Sequence, residues 1–139
     1  MSTLRTNALE GVDAKNSITI VAGAGNITTT NVQEGLCKIW SNIDNNGTIS
    51  ISDSFNVSTA TDEATGQYKL TYTNNMSNSS YAWSGSHSDS GSAMAAIGNT
   101  GSNSGTLAST SQISIAAEDV DSGFTDYDAT TLMIMGDLA

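Results

Sequence analysis

The sequence predicts a mainly β fold: an antiparallel β-sandwich-like domain with an N-terminal arm and one short helix before it. Two observations carry this prediction. From residue 43 onward, short segments alternate apolar with polar residues, as strands with one buried face do. Between these segments lie clusters of Ser, Thr, Asn and Gly, which suit turns and solvent-facing strand positions.

The first 30 residues are predicted to form the arm. Ser17–Val21 (SITIV) is a short strand candidate, and the AGAGN that follows is a turn or linker. A segment of this length is too small to enclose a core of its own. The arm is therefore expected to contact other proteins.

Residues 31–40 are predicted to form the short helix, at the start of a single domain that covers residues 31–139. Thr30 and Gln33 fit a capping box, and Val32, Leu36, Ile39 and Trp40 fall on one helical face. A helix of about ten residues is not stable alone in water. This one must pack either on the β domain or on the same helix of other subunits.

The β domain is predicted from a series of alternating segments. The clearest is Tyr68–Tyr72, where two polar residues separate three apolar ones. Thr131–Met135 (TLMIM) is apolar on both faces, which is typical of a covered strand or one in a subunit interface. The polar stretches Ser84–Ser92 and Asn99–Gly105 are predicted loops or edge strands. Other strand segments contain Ile49 and Ile51, Phe55 and Val57, Tyr81 and Trp83, and Ile113 and Ile115.

The stretch 42–53 (NIDNNGTISISD) permits two interpretations. As a calcium loop it would place Asn42, Asp44, Asn46, Gly47 and Asp53 at ligand and bend positions. As a β-hairpin it would turn at Asn46-Gly47 into an alternating strand. The segment after residue 53 alternates like a strand, whereas a calcium loop of this type needs a helix there. The sequence therefore favours the hairpin.

Charge and composition exclude several classes of function. The net charge is −10 with four basic residues, so the basic footprint that nucleic-acid binding requires is missing. The N-terminus has no apolar signal region, and no run approaches the length of a membrane span. The single cysteine, Cys37, lies among apolar residues and is expected to be a buried thiol.

The sequence offers few residues for catalysis or metal binding. His87 is the only histidine and lies in a Ser/Gly-rich stretch, which is a poor support for a catalytic triad. Glu118, Asp119, Asp121, Asp126 and Asp128 form an acidic cluster, interpreted as a solvated loop, with a weak cation site or a glycosidase-type carboxylate pair as alternatives. We predict no enzymatic activity, no metal site and no cofactor.

Tyr81, Trp83 and His87 are candidate contacts for a host receptor or glycan. Aromatic rings beside a polar loop can stack on a sugar ring or contact a partner protein. Aromatic residues on one strand face more often belong to the core, and that alternative stays open for Tyr81 and Trp83. The second functional hypothesis is a carbohydrate-binding module whose contact surface consists of Trp83, Tyr81 and the acidic loops around Asp126.

Several stretches together resemble small structural proteins of bacteriophages, especially marine phages. MSTLRTNALEG resembles their N-terminus. TTTNVQEGLCKIWSNIDNNGTISISDSFNVS resembles a second block, and GQYKLTYTNNMSNSSYAWSGS resembles a strand–loop–strand segment in them. DATTLMIMGDL fits their C-terminal ending loosely. The resemblance covers most of the chain in order, and the region from Met94 to Thr110 departs from it.

The resemblance implies a non-enzymatic virion protein of the tail-fibre, tail-tip or capsid-decoration type, β-rich and commonly trimeric. We expect a homo-oligomer, a trimer in the first instance, with the N-terminal arm contacting other virion proteins. Only 37% of the residues are hydrophobic, so shared apolar surfaces would supplement a thin core. The predicted subunit interface consists of Val32, Leu36, Ile39, Trp40, Met133 and Met135.

Overall fold

The computed structural model describes residues 19–22, 28–31, 35–88, 96–99, 108–119 and 123–139; for 19–22, 28–31 and 96–99 we describe the backbone alone. The chain separates into two compact units, Met1–Leu36 and Cys37–Ala139.

All the elements that the structure describes are β-strands, so the mainly β prediction is confirmed. The strands are β1 (Thr19–Ala22), β2 (Thr28–Asn31), β3 (Cys37–Asp44), β4 (Ser50–Phe55), β5 (Val57–Ala64), β6 (Gln67–Tyr72), β7 (Ala82–Ser88), β8 (Ala96–Asn99), β9 (Gln112–Asp119), β10 (Gly123–Phe124) and β11 (Ala129–Met135).

The first unit contains an antiparallel pair formed by β1 and β2. Thr19 lies opposite Asn31, and Ala22 lies opposite Thr28. Thr19–Val21 of the strand predicted at Ser17–Val21 lie in β1, which continues to Ala22; residues 17 and 18 lie outside the described residues.

The second unit contains a four-stranded antiparallel sheet in the order β4-β3-β11-β7. β3 and β4 form a hairpin in which Asp44 lies opposite Ser50, and Gly47 in its loop has a φ of 94°. The Asp44 carboxylate accepts a hydrogen bond of 2.9 Å from the Asn46 backbone N–H, an Asx turn that initiates the loop. The hairpin interpretation of residues 42–53 is confirmed.

The second sheet of this unit has five strands. β5 pairs with β6, and β6 pairs with β9, which also pairs with β8 and β10; all these pairs are antiparallel. Tyr68–Tyr72 lies inside β6, as its alternation predicts. Five consecutive residues of β9, Ile113 to Ala117, are buried, so this strand is covered on both faces.

The core joins the inward-facing residues of the two sheets, which gives the unit its sandwich-like arrangement. Burial of one large aliphatic or aromatic side chain contributes about 1.5–3 kcal/mol. The four-stranded sheet contributes Ile39, Ile43, Leu132 and Ile134, and the five-stranded sheet contributes Tyr68, Leu70, Tyr72, Ile113 and Ile115. Met76 completes this cluster of buried residues.

Asn56 forms the corner at which the chain leaves one sheet and enters the other. It stands between β4 and β5 with a φ of 60°, a left-handed conformation that asparagine tolerates better than most residues. Its side-chain oxygen accepts a hydrogen bond of 2.7 Å from the Asn74 backbone N–H, and its amide donates to the Asn74 carbonyl at 3.1 Å. These bonds hold the corner against the loop after β6.

The helix predicted over residues 31–40 is wrong at Asn31 and from Cys37 to Trp40, which lie in strands, whereas Gly35 is helical. Asn31 ends β2, and Cys37 to Trp40 form the first half of β3. Residues 32–34 lie outside the described residues. Ile39 and Trp40, two of the four apolar residues of the predicted helical face, lie instead in an irregular strand.

Candidate interaction surface

Alternation along the central strands of the four-stranded sheet separates an inner face from an outer face. In β11, Leu132 and Ile134 are buried, whereas Met133 and Met135 are 57% and 49% exposed. In β3, Ile39 is buried and the next residue, Trp40, is exposed. Large apolar side chains therefore lie on the outer face as well as in the core.

Two β-bulges bring further apolar residues to the outer face. In β3, Ile39 lies opposite Ile134 but Cys37 lies opposite Met135, so Lys38 is an extra residue. The register shift gives Cys37 the same face as Met135. Without the bulge, Cys37 would share the inward side with Ile39.

A second bulge has the same effect in β4. Ile51 lies opposite Ile43, and Asp53 lies opposite Asn42, so Ser52 is the extra residue. Phe55 is consequently placed opposite Trp40 on the outer face, where it is 52% exposed. By strict alternation it would share the side of Ile51.

The strand register arranges these side chains in two neighbouring rows. One row runs Phe55–Trp40–Met133–Ser84 across all four strands, and the other runs Cys37–Met135–Ala82 across three. Directly opposite residues on one face have Cβ atoms about 4.5–5.5 Å apart, so members of a row are in contact range. We call these seven residues the apolar face.

The apolar face includes no charged side chain, although the protein carries a net charge of −10. Asp53 lies in the next row, with Asn42, Thr131 and Ser86. In that row the hydroxyls of Ser86 and Thr131 are 3.0 Å apart and hydrogen-bonded. The face is thus an apolar strip bordered by a polar row with a single carboxylate.

A shallow groove of about 100 Å³ lies at the β7 side of the apolar face. It forms because β7 contributes only the small side chains of Ala82 and Ser84, while larger side chains of β3 and β11 stand beside them. Its lining residues are Cys37, Ala82, Trp83, Ser84, Met133 and Met135. The half-buried thiol of Cys37, expected from the sequence to be buried, is therefore part of a surface groove.

The predicted interface residues do not all lie on this face. Trp40, Met133 and Met135 do, and Leu36, immediately before β3, is 56% exposed. Ile39 was wrongly assigned to the interface, because it is fully buried in the core of its own chain. Val32 lies outside the described residues.

The sequence interpretation missed Phe55 and Cys37 as surface residues. It placed Phe55 in one strand with Val57, whereas the chain changes sheets between them at Asn56. No signal in the sequence marks the extra residues Lys38 and Ser52, so the two bulges could not be found before the strands were paired.

Two of the three candidate receptor contacts face the interior of the sandwich. Trp83 lies opposite Ile134 and packs, half-buried, against the core. The Tyr81 and Tyr72 hydroxyls are hydrogen-bonded at 2.8 Å, and the Tyr81 hydroxyl also lies 3.2 Å from the Ser109 carbonyl. Burial raises the pKa of both Tyr72 and Tyr81. Tyr81 thus has a structural role, whereas Trp83, half-buried against the core, also lines the surface groove.

His87, the third candidate contact, is also turned inward. It lies opposite Thr130, and its ring stacks on Tyr127 with a centroid separation of 4.0 Å and an interplanar angle of 39°. Both imidazole nitrogens are buried and have no hydrogen-bond partner among the described residues. Burial lowers the pKa of His87, because the charged form loses its hydration.

Two carboxylates of the predicted acidic cluster, those of Asp126 and Asp128, hold loops together. The Asp126 carboxylate accepts hydrogen bonds from the Gly66 backbone N–H at 2.6 Å and from the Asn45 amide at 3.1 Å. The Asp128 carboxylate accepts one of 2.7 Å from the Asn46 amide. Glu118 and Asp119 lie at the end of β9, and Asp121 lies outside the described residues.

Within the residues that the structure describes, no group of three or more His, Cys, Asp or Glu side chains is placed to hold a metal ion. In the same part of the chain, there is no helix with the length and apolar character needed to cross a membrane. Comparison of the chain with family models, with curated proteins and with solved structures gives no match.

Proposed function

We propose that this protein is a non-enzymatic structural protein of a bacteriophage particle, which self-associates and lies at the particle surface. The observation that carries the proposal is the apolar face. Phe55, Trp40, Met133 and Met135 form an exposed strip that is energetically costly to leave in water. Burial contributes about 25 cal/mol per Å² of apolar surface, so sharing this strip between subunits stabilises an assembly.

The net charge makes the apolar face the favoured place for self-association. Because each copy carries a net charge of −10, two copies repel one another over most of their surfaces. The seven residues of the apolar face have no charge to repel a second copy. We therefore place the subunit contact on this face, with Trp40, Met133 and Met135 from the predicted interface and Phe55 and Cys37 added.

The resemblance of the sequence to small phage proteins supports the particle assignment. Those proteins are β-rich and commonly trimeric, and the sandwich-like unit of this chain is β-rich as well. In this proposal the N-terminal arm, residues 1–30, contacts other virion proteins.

The mass in solution tests self-association. Sedimentation velocity of the full chain over a dilution series is expected to give a mass that is a multiple of 14.3 kDa, three times that value for a trimer. Met133→Lys puts a charge at an exposed position of the face and should shift the distribution toward the monomer. A wild-type chain that is monomeric at every concentration contradicts the proposal.

The location on the particle requires a separate experiment. Peptides of this chain should co-sediment with gradient-purified particles of the phage that encodes it, and immunogold labelling should distinguish a tail from a capsid position. If the chain is found only in the particle-free fraction, the virion assignment is wrong even if the protein self-associates.

A further inference from the structure

We propose that the apolar face pairs with the same face of a second copy about a two-fold axis, and that Phe55 of each copy enters the groove of the other. This inference rests on the proposed self-association and adds its geometry. The axis lies in the plane between the two facing sheets, runs parallel to the strands and passes midway between β3 and β11. Such a contact is isologous, since one surface supplies both halves of the interface.

The strand order makes this axis possible. β3 and β11 are the two central strands of the sheet, and β4 and β7 are the two edges. Rotation about an axis between the central strands places β4 of one copy over β7 of the other, and β3 of one copy over β11 of the other. Because neighbouring strands are about 4.8 Å apart, the two edges lie at equal distances from the axis and their side chains can meet.

Shape complementarity between the two edges supports the pairing. At the β4 edge the first row ends in the Phe55 ring, which is 52% exposed, whereas at the β7 edge it ends in the small side chain of Ser84. Ser84 lines the groove, so the small residue lies where an aromatic ring would arrive. The protrusion and the depression are thus at matching distances on opposite sides of the proposed axis.

The other members of the rows also meet suitable partners. Trp40 of one copy faces Met133 of the other, and methionine sulfur packs favourably against aromatic rings. Cys37 faces Met135 in the second row. Asp53 faces Ser86 rather than the partner's Asp53, so the one carboxylate of the adjacent row meets a hydroxyl and no like charge.

The second copy fits this face better than a charged ligand would. A basic partner of an acidic protein is attracted to its carboxylates, and the apolar face has none. Aligned packing of two sheets about 10 Å apart is a common way to bury such a face, and it would extend the sandwich by two layers.

The size of the face predicts a pair that dissociates on dilution. Four strands of about seven residues form a surface roughly 20 Å on a side. This area, about 400 Å², is about half of the 800 Å² that each partner buries in a standard-size interface, as expected of a weak contact. A two-fold contact on this face gives dimers of twice the 14.3 kDa chain mass, in place of the trimer that the resemblance to phage proteins implies.

Cys37 provides a reporter that the protein already contains. It is the only cysteine, and in the proposed pair the partner covers its groove. We expect alkylation of Cys37 by a maleimide to slow by at least about tenfold from dilute to concentrated protein. Phe55→Ala should abolish this protection and lower the sedimentation mass. Phe124→Ala is the matched control, since Phe124 is an exposed phenylalanine on the other sheet.

A double variant tests the axis itself. Phe55→Lys and Ser84→Glu each place a charge on the face and should disrupt pairing when introduced singly. The combined variant should restore it, because Lys at position 55 of each copy then faces Glu at position 84 of the other. Both positions are exposed, and circular dichroism and thermal unfolding check that each variant is folded.

The outcomes separate this inference from the proposed function. If the protein self-associates while Cys37 stays equally reactive and Phe55→Ala leaves the mass unchanged, the geometry is wrong and self-association stands. If Cys37 is protected but the double variant fails to recover pairing, the two-fold axis is wrong. A monomer at every concentration contradicts both.

Discussion

Phe55 lies directly opposite Trp40 on the outer face of the four-stranded sheet, because Ser52 is an extra residue in β4. The bulge reverses the side to which the rest of the strand points, so Ile51 faces inward and Phe55 faces solvent. The position of one small polar residue thereby determines whether an aromatic ring belongs to the core or to the surface.

Deletion of Ser52 is therefore expected to destabilise the protein far less than deletion of Ser54. Without Ser52, Ile51 still lies opposite Ile43 and Asp53 opposite Asn42, because only the extra residue is removed. Without Ser54, either Phe55 or, if the bulge straightens, Asp53 takes the inward position opposite Ser41, and burial of an unpaired carboxylate costs several kcal/mol. Urea unfolding of both variants measures the difference, and equal stabilities would show that Ser52 is not the extra residue of a bulge.

Gly66→Ala is expected to cost about 3 kcal/mol or more of unfolding free energy. Gly66 has a φ of 64°, and a Cβ there would lie 2.5 Å from the Thr125 backbone nitrogen and 2.6 Å from the Ala117 carbonyl oxygen. Strained backbone and steric overlap each cost about 1–3 kcal/mol.

Gly47→Ala is the matched control for Gly66. Gly47 also has a positive φ, 94°, but a Cβ there meets nothing within 4 Å. Only the conformational cost of about 1 kcal/mol remains. If the urea midpoints of the two variants fall equally, Gly66 does not lie as close to the backbone of Ala117 and Thr125 as the structure places it.

Asp126→Ala is expected to destabilise the protein by about 1–3 kcal/mol, since it removes the acceptor of the Gly66 N–H and of the Asn45 amide. Asp128→Ala is the comparison, because its hydrogen bond to Asn46 is exposed and water can replace it. Chemical denaturation of the two variants should give the larger loss for Asp126. The reverse order would contradict the role of Asp126 in joining the two loops.

His87 is expected to make stability fall on mild acidification. Its folded pKa lies below the ordinary value of 6.5, so the unfolded chain takes up a proton first as the pH falls. The stability associated with neutral His87 is present above pH 6.5 and is lost as the pH falls through the folded pKa. Asp126 and Asp128 flank Tyr127, on which the imidazole stacks, and are engaged by the loop hydrogen bonds.

His87→Phe provides the test, because it keeps a ring against Tyr127 and removes the titrating group. Urea midpoints between about pH 7.5 and about pH 5 should fall more for the wild type than for the variant. Parallel curves for the two proteins would show that His87 does not titrate with unfolding.

Asn56→Ala is expected to be less stable than Asn56→Gly. Both variants lose the hydrogen bonds to Asn74, but only alanine is strained at a φ of 60°, by about 1–2 kcal/mol. Thermal unfolding of the pair isolates this conformational contribution. An alanine variant as stable as the glycine variant would contradict the left-handed corner.

The strands with regular alternation were predictable from the sequence. Tyr68–Tyr72, Ile113–Ile115 and Thr131–Met135 are strands in the structure, and the Asn46-Gly47 turn forms a hairpin as predicted. In these segments a period of two and a turn signal are local properties, which neighbouring residues determine without reference to the rest of the chain.

The sequence by itself thus determined the fold class and the apolar character of β11, including the exposed Met133 and Met135. The tertiary structure alone decided the strand at Cys37–Trp40 and the surface position of Phe55. A bulge adds one residue to a period of two, so the spacing around Lys38 imitates a helical face. Which residue is extra depends on the partner strand across the sheet, and that pairing is long-range information absent from any local pattern.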